Sequence, residues 1–204
     1  MMKRALLLVD IQYDFLPRGP LSVPFGDEII PVAEAMILQF ASRGDPIFTS
    51  QDWHPAGHCS FASTHGKTVY TTLETGEMLW PDHCVIHTDG AKLAVTVPWN
   101  AVKVYKGVDI NIDSYSAFYD NNHAKSTGLA ESLAARRITD LYVMGLATDY
   151  CVKATVDDAL DEGFNVHLII DGCRGVDIAT TEKAIFEMLK SVSMIQSAHL
   201  LSVR

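Results

Sequence analysis

The sequence predicts an α/β protein, a three-layer αβα sandwich around a mainly parallel central sheet. Three observations predict it. Short β-rich runs alternate with segments of helical period along the 204 residues, the order that sets helices on both faces of a parallel sheet. The first run, Ala5 to Val9, is apolar at every position, as in a strand covered on both sides. Hydrophobic residues make up 48% of the chain, ample for a single core, so residues 1–204 are expected to form one domain.

The elements follow in order. The run Ala5 to Val9 ends at Asp10. Pro17-Arg-Gly-Pro20 and Pro24-Phe-Gly26 then interrupt regular structure. Asp27 is placed to cap a helix in which Ile29, Val32, Ala33, Met36, Ile37 and Phe40 recur at helical spacing. Pro31 is tolerated near its first turn, and Gly44 closes it. A second strand is expected over Pro46 to Ser50. From Gln51 to about Asn100 the periodicity is lost, and all three tryptophans and most histidines fall there. A connection that long far exceeds the usual few residues of an α/β unit and is expected to cover a site. Ala101 to Tyr105 is a third strand, ending at Lys106-Gly107. Leu129, Ala130, Leu133 and Ala134 mark a helix. Leu141 to Met144 is a fourth strand reaching Gly145, then a turn, Leu146 to Asp149, with Thr148 and Asp149 as helix caps. The helix that follows carries Val152, Val156, Ala159 and Leu160 on one face. Asn165 to Ile170 is a fifth strand. Thr181 opens a last helix with Ala184, Ile185, Met188, Leu189 and Val192 on one face, and a short strand falls within Ser193 to Leu201.

Composition narrows the function. The formal net charge is −9, which leaves no electrostatic footprint for nucleic acid, and no basic amphipathic helix points to a membrane surface. The N-terminal apolar run spans five residues, too few for a signal sequence or a membrane span. Cys59, Cys84, Cys151 and Cys173 form no CxxC pair and read as reduced thiols of a cytoplasmic protein, a monomer or small homo-oligomer.

In folds of this class, ligands bind beyond the carboxyl ends of the strands. Asp10, Asp52, Lys106 and Cys151 each stand at or just past such an end, so they are expected to converge on one crevice. A thiol at a helix start feels the partial positive charge there, which favours the thiolate. A carboxylate such as Asp10 can accept its proton, a lysine such as Lys106 can steady developing negative charge, and free backbone N–H groups can hold an oxyanion. This set suits attack on an amide carbonyl. Asp52 and His54 are two apart in an extended segment and so face one point; both are metal-ligand types. A third ligand would come from farther on, with His83 the best candidate and His58, His65 and His87 its rivals.

Asp10-Ile-Gln-Tyr-Asp-Phe15, Ser50-Gln-Asp-Trp-His-Pro55, Trp80-Pro-Asp-His-Cys84, Lys106-Gly107, Asp113-Ser-Tyr-Ser-Ala-Phe118 and Gly145-Leu-Ala-Thr-Asp-Tyr-Cys151 occur in this order. In that order, and with Asp171-Gly-Cys-Arg-Gly175 beyond them, the chain resembles the nicotinamidases, within the isochorismatase-like cysteine hydrolases. The resemblance runs nearly end to end. It implies their Rossmann-like fold and hydrolysis of nicotinamide to nicotinate and ammonia through a cysteine thioester, in NAD salvage, with pyrazinamide-like analogues as further substrates. It implies Asp10, Lys106 and Cys151 as the catalytic set, and Ala147 and Cys151 as backbone donors of the oxyanion hole beside a cis peptide near Leu146-Ala147. It implies Phe15 and Trp80 as aromatic residues flanking the pyridine ring. It implies Asp52, His54 and His83 as ligands of one divalent transition metal, zinc first, with iron or manganese in other members, and His58 as an additional ligand in some. Tyr13 stands where the family often has Asn; it either narrows the pocket or faces outward. Two rival readings remain at this stage. A metal-free isochorismatase-like or N-carbamoyl amidase enzyme would need the catalytic end of the crevice but not Asp52, His54 and His83 together. A non-catalytic binding protein on the same fold would not need Asp10, Lys106 and Cys151 intact.

Overall fold

The computed structural model describes residues 3–202. Six strands, β1 (Arg4–Val9), β2 (Ile47–Asp52), β3 (Val102–Lys106), β4 (Asp140–Leu146), β5 (Asn165–Arg174) and β6 (Ser193–Ile195), form one sheet in the order β3-β2-β1-β4-β5-β6. Every neighbouring pair is parallel. The flanking helices are α1 (Ile30–Ser42), α2 (Leu129–Ala135), α3 (Lys153–Asp161), α4 (Ile178–Met188) and α5 (Ser197–Leu201). α1 packs with α5, and α3 with α4. This is the expected sandwich. The centre of the core is β1, where Ala5 to Val9 are all fully buried, each large aliphatic side chain contributing about 1.5–3 kcal/mol.

The strand order reverses between β1 and β4. The chain winds from β1 to β3 on one side and from β4 to β6 on the other, so the crevice of a doubly wound sheet opens at the carboxyl ends of β1 and β4. Register then sets the site. Val9 is level with Ser50 on β2 and with Gly145 on β4, and Asp52 is level with Lys106 on β3. Parallel in-register pairing therefore brings the expected strand-end residues side by side. Gly145 allows this close approach: its φ is +140°, and a Cβ there would sit 2.0 Å from the Val9 carbonyl oxygen.

Several local expectations are corrected. Asp27 does not cap α1. Gly26–Ile29 forms a 3₁₀ turn that runs directly into the helix, and the N-cap, Ile29, receives no side-chain bond. Thr148 and Asp149 do not cap α3 either. Thr148–Val152 forms a π-helical turn ahead of α3, and the Asp149 carboxylate instead accepts from Val176 N (2.9 Å), Asp177 N (3.2 Å) and Thr180 Oγ1 (2.5 Å). α4 starts at Ile178 rather than Thr181 because Asp177 accepts from the amides of Ala179 and Thr180, and it ends before Leu189 and Val192. β5 extends to Arg174, past the expected end at Ile170. Residues 53–101 carry no strand or α-helix, only a 3₁₀ turn at Ser63–His65 and isolated bridges. No helix among the described residues is long and apolar enough to cross a membrane, and none of the four cysteines is paired.

Candidate active site

Lys106 is 1% exposed and lies between the two halves of the crevice. Its Nζ is 2.6 Å from Asp52 Oδ1, 2.7 Å from the Ser114 carbonyl oxygen, 3.0 Å from Asp10 Oδ2 and 3.3 Å from Cys151 Sγ. Burial alone would strip its proton, but the carboxylates of Asp10 and Asp52 outweigh burial and hold its pKa well above the ordinary lysine value. The same contact keeps Asp52 ionised: burial opposes the charge, yet Lys106 and His54 pull its pKa well below 3.8. Asp10 goes the other way. Burial raises its pKa above 3.8, against the pull of Lys106, and Asp52 adds to the rise. Its Oδ1 accepts from Ser50 Oγ at 2.6 Å, while no donor in good hydrogen-bond geometry fills Oδ2.

Cys151 sits in the π-helical turn after β4, with Sγ and one carboxylate oxygen from each of Asp10 and Asp52 within 4.8 Å of one another. The preceding Leu146–Ala147 peptide is cis. The thiolate preference expected from a helix start is opposed here: burial pushes the thiol pKa well above 9.0, and Asp10 and Asp52 add to the rise against Lys106. A thiol so placed needs a base to take its proton. Asp10, a stronger base than an ordinary carboxylate, stands beside it.

The second half of the crevice has the donor set of a metal centre. Asp52 Oδ2 is 3.7 Å from His54 Nε2 and 3.7 Å from His83 Nε2. Each imidazole turns its other nitrogen to a backbone carbonyl, His54 Nδ1 to Gly107 at 2.9 Å and His83 Nδ1 to Pro81 at 2.7 Å. A carbonyl only accepts, so Nδ1 carries a proton in each ring, and Nε2, turned toward Asp52, is the nitrogen left to bind an ion. Two imidazole nitrogens and one carboxylate oxygen, oriented by outer hydrogen bonds, fit a divalent transition metal. Gly107 makes room: a Cβ there would lie 2.2 Å from His54 Cε1. Two of the rival histidines stand elsewhere: His65 is exposed and bonds the Cys59 carbonyl, and His87 packs edge-on to Trp53. His58 is fully buried with its ring centroid 4.2 Å from that of His54, its Nε2 without a hydrogen-bond partner, and it forms a second candidate ligand group with His54 and Asp113.

Phe15, Trp80, Ala147 and Cys151 all line one narrow cavity with Asp52, His54 and His83. Tyr13 is 53% exposed and faces outward. Other residues of the site were not singled out from sequence. Tyr115 and Tyr150 complete the aromatic wall: Trp80 Nε1 donates to Tyr115 Oη at 3.1 Å, and the Trp80 and Tyr150 rings meet edge to face at 4.8 Å. Gln12 clamps Asp52 through its backbone, accepting from its N at 2.8 Å and donating to its O at 2.9 Å. Position beside Cys151, and membership of the Asp113 to Phe118 segment, were the available signals for the two tyrosines.

With the geometry in place, the chain can be compared with known proteins. The isochorismatase domain matches residues 4–199. The chain belongs to the isochorismatase family. Among members of that family, a nicotinamidase of Escherichia coli is 48% identical over 186 residues, covering 89% of this chain and 87% of that protein. A nicotinamidase of Acinetobacter baylyi is 42% identical, covering 97% and 94%. Among solved structures, the nicotinamidase/pyrazinamidase of Acinetobacter baumanii superposes with a TM-score of 0.91 at 38% identity, covering 98% of this chain and 99% of that one. The pyrazinamidase of Pyrococcus horikoshii, solved in complex with zinc, has a TM-score of 0.84 at 36% identity, covering 95% and 99%. The L. infantum protein solved in complex with nicotinate has a TM-score of 0.84 at 35% identity, covering 97% and 94%.

Proposed function

We propose that this isochorismatase-family enzyme hydrolyses nicotinamide to nicotinate and ammonia, with Asp10, Lys106 and Cys151 as its catalytic set. The observation that carries the proposal is the buried Lys106 ammonium, in contact at once with Asp10, Asp52 and Cys151. It ties a nucleophile with its base to a group of metal-ligand side chains. That combination suits a small aromatic amide with a ring nitrogen at one end and a carboxamide at the other. The nicotinamidase relatives and the nicotinate complex of a structural neighbour support the same substrate.

Asp10 takes the Cys151 proton, and the sulfur attacks the carboxamide carbon. Lys106 stays charged and offsets the negative charge that develops. The backbone N–H groups of Ala147 and Cys151 hold the carbonyl oxygen as it becomes an oxyanion. Asp10 passes its proton to the departing nitrogen, and ammonia leaves a thioester. A water deprotonated by Asp10 then attacks the thioester carbon, the C–S bond breaks, and that proton passes from Asp10 to the sulfur; the acid formed gives its remaining proton to solvent and leaves as nicotinate. Phe15 and Trp80 flank the ring. Asp52, His54 and His83 would hold a divalent ion, zinc by analogy with the P. horikoshii complex. When bound, that ion supplies Lewis acidity and positive charge for a ring nitrogen. Pyrazinamide, with the same ring geometry, is expected to be hydrolysed as well.

The test is ammonia release from nicotinamide by the purified enzyme, before and after chelation and after adding zinc back. Release that chelation abolishes and zinc restores supports the proposal. Release from a carbamoylated amine but not from nicotinamide, unaffected by chelator, would replace it with a metal-free amidase.

A further inference from the structure

A second cavity adjoins the catalytic one, a vestibule lined by Cys59, Thr75, Glu77, Asp113, Tyr115 and Tyr150 among others. Asp113, Tyr115 and Tyr150 belong to both chambers. The vestibule lining includes two carboxylates, Asp113 and Glu77, and no lysine, arginine or histidine. Asp113 is half-buried, and its Oδ1 is anchored by the Ser114 backbone N–H at 2.8 Å. It makes none of the ion pairs among the described residues; its carboxylate lies in one group with a ring nitrogen of His54 and of His58, all within 4.8 Å of one another. The neighbouring Asp109 is paired with Lys125, so the acidic side chains of the vestibule lining are Asp113 and Glu77.

We propose that Asp113 is a selectivity residue that sets the neutral amide substrate apart from the anionic acid product. The inference rests on the nicotinamidase reading. Substrate and product differ by one group: a neutral carboxamide becomes a carboxylate. With a divalent ion on Asp52, His54 and His83, the charges of Lys106, Asp10 and Asp52 leave the inner site one unit positive, a setting that would retain an anion. Asp113, fixed in the cavity wall, cancels that unit. It costs the neutral amide little and the acid a charge–charge repulsion in a partly desolvated space, where such terms exceed their value in water. Glu77 extends the acidic lining outward but is exposed, so salt screens its contribution.

The test is direct calorimetric binding of nicotinate and of 3-methylpyridine, a neutral ring of similar size, to metal-loaded wild-type, Asp113→Asn and Asp113→Glu proteins. Asp113→Asn is expected to bind nicotinate about fivefold to tenfold tighter, with 3-methylpyridine changed by less than about twofold, and with the gain shrinking as salt is raised. Asp113→Glu is expected to keep the wild-type ratio. An equal change for both ligands, no change for nicotinate, or an Asp113→Glu protein that behaves like Asp113→Asn would overturn the inference. Wild-type protein that releases no ammonia from nicotinamide would overturn both the proposed function and this inference; normal release with an unaltered binding ratio would overturn this inference alone.

Discussion

A buried ammonium without partners costs several kcal/mol, and Lys106 is buried with a carboxylate on either side, a carbonyl oxygen and a thiol. Replacing it with Met removes the charge that restrains Asp10, so the Asp10 pKa rises further. The sign of the pH effect follows. Asp10 must be ionised to take the thiol proton, and burial already holds its pKa above 3.8. Wild-type kcat/KM is therefore expected to be present above that raised value and lost as pH falls through it. In Lys106→Met the acid limb moves to higher pH, and the rate at neutral pH falls by about 100-fold or more; a pH–rate profile of the two proteins reads both effects. At the metal group, His83→Ala leaves one imidazole and one carboxylate. It is expected to lose zinc on dialysis where the wild type retains it, as metal analysis of the dialysed proteins would show.

Among the elements, the ends of β1, β3 and β4 do most to place the site, and two glycines set how closely they meet. Gly145→Ala would drive a methyl group into the Val9 carbonyl in a conformation that disfavours side chains. It is expected to destabilise the fold by about 3 kcal/mol or more, read as a lower midpoint in urea unfolding. Gly107→Ala, at a φ of +62°, presses on the His54 ring rather than on backbone. It is expected to weaken metal binding by about 10–100-fold, as loss of outer support does, with a smaller effect on stability. β1 was legible because a strand buried on both faces is an apolar run, and Asp10, the polar residue that ends it, marks the strand end. Lys106 was found at the end of β3, an edge strand with mixed burial, and Cys151 as a cysteine at a helix start beyond the turn that follows β4. The start of α4 was not, because its cap is Asp177 and the residues after it, Ile-Ala-Thr-Thr, lack helical period. The π-helical turn at Cys151 was not legible either: Thr148 and Asp149 are cap-forming types, and only the fold brings Val176 to Thr180 within reach to compete for the Asp149 carboxylate. Tyr115 and Tyr150 escaped notice because an aromatic wall is made by loops meeting in space.

For the whole molecule, the proposed ligand set joins distant parts of the chain. Asp52 ends β2, while His83 comes from the long irregular connection, whose own regular structure is slight. An ion held by both binds the folded chain and not the unfolded one, so it stabilises by mass action. Chelation is expected to lower Tm by about 5–10 °C, with scanning calorimetry as the check. The connection was recognisable as functional from its length and its histidines and tryptophans. Which histidine would join Asp52 and His54 was not decided by spacing, because His83 reaches them through the irregular backbone of residues 53–101. The central claim is covalent hydrolysis of a carboxamide by Cys151, and one comparison tests it most directly. Ammonia and nicotinate are measured from nicotinamide with wild-type and Cys151→Ala proteins of matched metal content. The account predicts equal amounts of the two products from the wild type and a rate at least about 1,000-fold lower from Cys151→Ala; near-normal release by Cys151→Ala would contradict it.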